Sequence, residues 1–221
     1  MVRGESGRRQ RFPLHLAGDG WMSKGVVYIV DDDEAIRDAL GWLFQSRGVT
    51  AQCFASAEDF LSVWSVPCSG CLVLDIRMDG MTGLELFDRL CEMGAKLPVI
   101  FLTGHGDVPM AVSALKKGAR DFVEKPFNDN DLVDKVIEAL AWEAERVASA
   151  ADAASLAQRL ESLTLRERQV MDKVLAGKLN KVIADDLGIT MRTVEVHRAH
   201  LFEKMGVKTA VELAQILSQR R

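Results

Sequence analysis

Four apolar runs in this chain end on side chains that can do phosphoryl or metal chemistry. Cys71-Leu72-Val73-Leu74 leads into Asp75, and the run 26–30 leads into Asp31-Asp32-Asp33-Glu34. The run PVIFL (98–102) ends at Thr103, and DFVE (121–124) leads to Lys125-Pro126. Carboxylates crowded at one place repel each other, and a hard divalent cation with oxygen ligands, Mg²⁺, is the natural counterweight. An Asp nucleophile, a metal, a hydroxyl and an ammonium together meet the needs of phosphoryl transfer to a carboxylate.

For that chemistry the four run ends must converge, which places demands on the elements. The runs are short, apolar and β-branched, with a weaker fifth at 50–54, and helical patterns separate them. Ile36, Leu40, Leu43 and Phe44 line one face of a helix over 34–47. Ser56 opens a second helix, Thr82 opens one over 83–93, and 107–117 and 129–145 carry helical patterns. Strands that alternate with helices and read as continuous apolar runs belong to a parallel sheet covered on both faces. Five such units fit a flavodoxin-like α/β domain of strand order 2-1-3-4-5. In that order the first and third strands are neighbours, so Asp31 and Asp32 face Asp75 at the C-terminal edge where such sheets bind ligands. Asp33 and Glu34 are accounted for by capping the first helix; Asp75 is not.

The charge is unevenly spread. Residues 24–163 carry 13 Lys+Arg against 23 Asp+Glu, residues 164–221 carry 11 against 7, and residues 1–23 carry 4 against 2. An acidic body with a basic C-terminal part points to two modules, the second a candidate for nucleic acid. No apolar run approaches the roughly 20 residues of a membrane span. The basic start is broken by Pro13 and His15 and lacks the apolar core of a secretory signal, so the chain is expected to be cytoplasmic, with 1–23 a disordered arm or, up to residue 21, an upstream start rarely used. Cys68 and Cys71 have CxxC spacing, but no second pair or His lies near them in sequence to complete a zinc site.

The expected organisation is therefore an α/β domain over 24–140, a helical linker over 141–160 and a small all-α domain over 161–221. The linker AWEAERVASAADAASLAQRL lacks Gly and Pro, and its Leu156 and Leu160, with Leu163 beyond, recur at helical spacing. They could face a partner helix or solvent. Thr164 and Glu167 fit a capping box for the next helix. Asn180 is expected to cap a short helix over 181–187, and Thr190 a longer one over 191–205. The tight LGIT turn between these two makes a helix-turn-helix, whose second member enters the DNA major groove.

These stretches carry a resemblance. VDDDEAIRDAL, LDIRMDGMTGLEL and FLTGHGDVPMAVSALKKGARDFVEKPF are similar to a response-regulator receiver domain, and LTLRERQVMDKVLAGKLNKVIADDLGITMRTVEVHRAHLFEKMGV resembles the LuxR-type helix-turn-helix. Together they resemble the FixJ/NarL family, with TGHGDVPMAV and EKPF nearer to FixJ. The resemblance implies that Asp75 is the phosphoacceptor, that Asp32 binds Mg²⁺ directly, Asp31 through water and Arg77 through its backbone carbonyl. It implies that Thr103 and Phe122 form the switch pair, that Lys125 pairs with the phosphate, and that the Lys125-Pro126 bond is cis. A sensor histidine kinase would be the phosphodonor. Phosphorylation would then promote homodimerisation through the 107–140 face and binding to double-stranded DNA, with RNA polymerase open as a further partner. The family usually has Pro where Asp79 stands, which is expected to loosen the loop and to add negative charge near the metal.

In the second module, the family presents Glu195, Val196 and Ala199 to base edges, with Thr193 and Arg198 at the margins. Lys178, Asn180, Lys181, Thr190, Arg192 and His197 suit phosphates, which position the domain without carrying sequence information. His197 and His200 lack a third metal ligand. A phosphatase with an Asp nucleophile would want an acidic residue two places after Asp75, and Arg77 stands there. A constitutive DNA binder would have no need of the Asp31, Asp32, Asp75, Thr103 and Lys125 set.

Overall fold

The computed structural model describes residues 25–64, 68–104 and 108–218, so the expected arm over 1–23 and Asp107 lie outside the described residues. The chain divides into two compact units that meet between Leu140 and Ala141.

The first unit holds β1 (Val26–Val30), α1 (Glu34–Ser46), β2 (Thr50–Phe54), α2 (Ala57–Val63), β3 (Cys71–Asp75), α3 (Gly83–Glu92), β4 (Val99–Thr103), α4 (Val108–Lys116) and β5 (Asp121–Glu124). The strands form one parallel sheet in the order β2-β1-β3-β4-β5. The period-2 alternation of a strand explains the two cores. Leu72, Leu74, Val99 and Phe101 pack with Phe60, Leu86 and Ala111 on one face. Val27, Ile29, Val73, Ile100 and Leu102 pack with Leu40, Phe44, Leu132 and Val136 on the other. Every residue of β3 and β4 is buried, which is why both read as unbroken apolar runs.

The α5 helix runs without a break over Asp129–Glu161, where the sequence pattern suggested a helix and a separate helical linker. In the second unit Leu156 and Leu160 pack against a core of Leu163, Val170, Val174, Ile183, Val194, Leu201, Met205 and Leu213, so these leucines do find partner helices. That core is built by α6 (Leu165–Leu175), α7 (Asn180–Leu187), α8 (Met191–Met205) and α9 (Ala210–Ser218). Thr164 and Glu167 form a complete capping box on α6, and Thr190 caps α8 by accepting from the Thr193 N–H. Asn180 does not cap α7. Leu179 occupies that position with no side-chain cap, and the Asn180 Oδ1 instead accepts from Arg198 at 2.6 Å. A guanidinium donor makes the stronger, charge-assisted bond and takes the side chain away from the helix end. Among the described residues, no helix is long and apolar enough to cross a membrane.

Candidate functional site

Sheet register brings the four run ends together. Val30 of β1 pairs with Leu74 of β3, so Asp31 and Asp75 follow at the same level. Asp75 in turn pairs with Leu102, placing Thr103 one step beyond, and Thr103 pairs with Glu124, directly before Lys125. The Lys125 N–H donates to the Thr103 carbonyl at 2.7 Å, which ties the last two ends to each other.

Ligand oxygens of Asp31, Asp32 and Asp75 all lie within 4.8 Å of one another, with Asp31 and Asp75 buried and Asp32 exposed. Lys125 Nζ bridges two of them, donating to Asp75 Oδ1 at 2.8 Å and to Asp31 Oδ2 at 2.9 Å. Asp31 is further fixed by the Asp33 N–H on its Oδ1 and by Arg37 on its carbonyl. Asp33 itself is the α1 N-cap, accepting from the Ala35 and Ile36 N–H groups, and Glu34 sits in the first turn. The lower half of the acidic run is thus a cap, and the upper half belongs to the pocket.

The electrostatics of the pocket are out of balance. Burial is the main reason that the Asp75 carboxyl lies above its ordinary value. The Lys125 hydrogen bond and charge oppose that rise, and the Asp31 and Asp32 charges add to it. Burial alone would pull Lys125 down, but its bonds to Asp75 and Asp31 and their charges leave the ammonium raised. Three carboxylates against one ammonium carry a formal charge of −2. A divalent cation would cancel it, and oxygen donors are what Mg²⁺ accepts. The fully buried Thr103 hydroxyl has no hydrogen-bond partner among the described residues. An unpaired buried hydroxyl is costly, and an arriving anionic oxygen would satisfy it.

Arg77 lies exposed two residues past Asp75. Phe122 pairs with Phe101 across the sheet and is half-buried against the core face that holds Leu74 and Phe101. Lys125-Pro126 is cis. In the loop after β3, where the substitution by itself suggests a looser path, the Asp79 N–H donates to Asp32 Oδ2 at 3.0 Å, a bond that proline could not make. Two further residues of this region are not apparent from sequence. Gly83 at the start of α3 passes so close to Asp75 that a Cβ there would stand 2.0 Å from its carbonyl oxygen. Glu58, at the start of α2, accepts from the Met81 N–H at 3.2 Å.

In the helix-turn-helix unit, Arg192, Glu195, Val196 and Ala199 of α8 are exposed, while Thr193, His197 and Arg198 are half-buried beside the core residue Val194. Lys181 and Thr190 are exposed as well. Arg198 bridges α8 to α7 through Asn180 and stacks on Phe202 with 5.4 Å between guanidinium and ring centroid. Lys178 is not a free cation. It shares Asp186 with Lys173, each at 2.7 Å, and the two ammonium groups hold the Asp186 carboxyl down to about 2.

A parallel sheet of this order with carboxylates clustered at its C-terminal edge, followed by a helical unit with a helix-turn-helix, defines a receiver joined to a DNA-binding module. The chain matches the response regulator receiver domain over residues 27–137 and the bacterial regulatory proteins of the luxR family over residues 161–217. It is 50% identical to the C4-dicarboxylate transport transcriptional regulatory protein DctR of Rhodobacter capsulatus over 193 residues, 86% of this chain and 98% of that protein. It is 44% identical to the transcriptional regulatory protein FixJ of Bradyrhizobium diazoefficiens over 88% of this chain and 95% of that one. The solved structure of the response regulator StyR covers 88% of this chain and 98% of its own, at 39% identity and a TM-score of 0.82. Full-length FixJ from B. japonicum covers 88% and 96%, at 42% identity and a TM-score of 0.57. The chain belongs to the response regulators of two-component systems, of the NarL/FixJ type with a LuxR-type helix-turn-helix.

Proposed function

We propose that Asp75 accepts a phosphoryl group from the phosphohistidine of a partner sensor kinase, and that this modification promotes dimerisation and DNA binding to regulate transcription. The observation that carries the reading is the Lys125 ammonium held between Asp75 and Asp31, beside the unpartnered Thr103 hydroxyl. A carboxylate oxygen of Asp75 attacks phosphorus, the P–N bond to the donor imidazole breaks with its electron pair returning to that ring, and an acyl phosphate remains. Asp32, with Asp31 through water, Asp75 and the Arg77 carbonyl, would hold Mg²⁺, which neutralises charge on the transferring oxygens. Lys125 then moves from carboxylate to phosphoryl oxygen, and Thr103 donates its hydroxyl to another. Phe122, only half-buried, turns inward as Thr103 shifts. The receiver gains and slowly loses its own phosphoryl group and turns over no external substrate.

The working division is a receiver over 24–140, a helical linker over 141–160 and a DNA-binding domain over 161–221. On the receiver, Met110 and Val112 of α4 are exposed apolar residues on the 107–140 face through which two phosphorylated copies would pair. On the DNA-binding domain, Lys181, Thr190, Arg192 and His197 serve the backbone, joined by Lys178 and Asn180 as they exchange Asp186 and Arg198 for phosphate, and Glu195, Val196 and Ala199 face the bases with Thr193 and Arg198 at the margins. Val196 suits a thymine methyl in the major groove. RNA polymerase is the partner such a regulator would address, and the cytoplasm is where all these partners meet. Sedimentation and DNA-binding titrations with and without acetyl phosphate test the reading. Phosphorylated wild type should dimerise and bind operator DNA more tightly, with Asp75→Asn unresponsive; equal responses from both proteins would refute it.

A further inference from the structure

The loop between β3 and α3 would bring the Arg77 carbonyl to the metal, and this function depends on how that loop is held. Residues 77–82 carry Gly80 at φ +78°, so they do not follow a regular path set by strand or helix. Two main-chain N–H groups of the loop instead donate to carboxylates from other elements. Asp79 donates to Asp32 Oδ2 at 3.0 Å, and Met81 donates to Glu58 Oε1 at 3.2 Å. Glu58 is not needed to cap its own helix, because Ser56 already accepts from the Asp59 N–H there. Its carboxylate also lies against Gly80, where a Cβ would stand only 3.3 Å from Glu58 Oε1. Thr82 then opens α3 through a capping box with Glu85, and the Gly83 N–H donates to the Ile76 carbonyl at 3.1 Å. The far end of the loop is therefore fixed by its own cap, and its middle is fixed from outside by Asp32 and Glu58.

We propose that Glu58 is a positioning residue of the phosphoacceptor pocket: it latches the 77–82 loop from α2 and so presets the site that the Arg77 carbonyl completes. The proposal rests on the reading of that pocket as a metal and phosphoryl site. Glu58 touches neither the metal nor the phosphoryl group and acts through the Met81 N–H. Because Asp32 is both a latch point and a ligand, the second bond hands loop position directly to the metal site. A side chain at 58 needs only an acceptor oxygen for this role, not a charge.

The test compares wild type, Glu58→Ala and Glu58→Gln in the full chain. Amide hydrogen exchange at Met81 without metal reads the latch itself, and calorimetric titration with Mg²⁺ reads its consequence. Losing one hydrogen bond of ordinary net strength should speed Met81 exchange by about three- to tenfold in Glu58→Ala and weaken Mg²⁺ binding by a similar factor. Glu58→Gln keeps an acceptor and should stay within about twofold of wild type in both. Thermal melting should fall by no more than a few degrees in Glu58→Ala, which keeps its fold, and should be nearly unchanged in Glu58→Gln. Unchanged Met81 exchange in Glu58→Ala, or Glu58→Gln falling with Glu58→Ala, would overturn the proposal. A wild type that binds no Mg²⁺ would refute the pocket reading instead, while the exchange rates would still decide the latch.

Discussion

Replacing Gly83 with alanine perturbs the acceptor site without touching any group that takes part in the chemistry. The new Cβ would stand 2.0 Å from the Asp75 carbonyl oxygen, 3.0 Å from its carbon and 3.1 Å from Leu74 Cγ. Comfortable separation is about 3.5 Å, so roughly 1.5 Å must come from movement of backbone, which has no rotamer to escape into. The start of α3 is held by its Thr82–Glu85 capping box, and the end of β3 is held by pairing to β1 and β4, so strain falls on both. Overpacking of this kind costs about 1–3 kcal/mol. Displacing the attacking carboxylate by about 1 Å costs on the order of 100-fold in rate. Urea denaturation and the rate of acetyl-phosphate labelling by intact mass measure the two effects. Gly41→Ala is the control: in α1 its Cβ meets only Cys53 Sγ, at 3.6 Å, and it should gain about 0.5–1 kcal/mol of helix stability with labelling unchanged. Gly83→Ala labelling at the wild-type rate with wild-type stability would refute the reasoning.

Asp79→Pro removes the N–H donated to Asp32 and should weaken Mg²⁺ binding by about threefold or more. Asp79→Ala keeps that donor and should stay closer to wild type in the same titration. Asp186→Asn removes the charge that holds Lys173 and Lys178. It should tighten non-specific DNA binding and steepen its salt dependence by about 1 for each lysine that reaches a phosphate, as read by titration at several salt concentrations. Glu167 is buried, which would raise its carboxyl, but Lys204 and Thr164 outweigh burial and hold it below its ordinary value. A lowered carboxyl stabilises the fold above its unfolded pKa and loses that contribution as pH falls through the folded one. The melting difference between wild type and Glu167→Gln should therefore be largest near neutrality and shrink in acid below about pH 4.

Much of the receiver was legible because its strands are buried on both faces. Runs such as Leu72–Leu74 and Val99–Leu102 admit few other readings, and placing β1 beside β3 was enough to bring Asp31 and Asp75 together. The capping box at Thr164 and the helix start at Thr82 follow from side chains close in sequence, which local chemistry decides. What sequence could not show was long-range or competitive. Asn180 has the type and place of an N-cap, but Arg198, 18 positions away, claims its oxygen. Lys178 reads as a phosphate ligand, yet Asp186 already holds it. Glu58 looks like an ordinary acidic residue of a first turn, and its bond to Met81 spans 23 positions. The substitution at Asp79 suggests a loose loop because a side chain is visible in sequence and a main-chain N–H is not.

The most direct test of the account is intact mass after incubation with acetyl phosphate and Mg²⁺, beside Asp75→Asn and a metal-free sample. A single phosphoryl adduct on wild type, absent from both controls, is the predicted result. An adduct that persists in Asp75→Asn, or none on wild type with metal present, would contradict it.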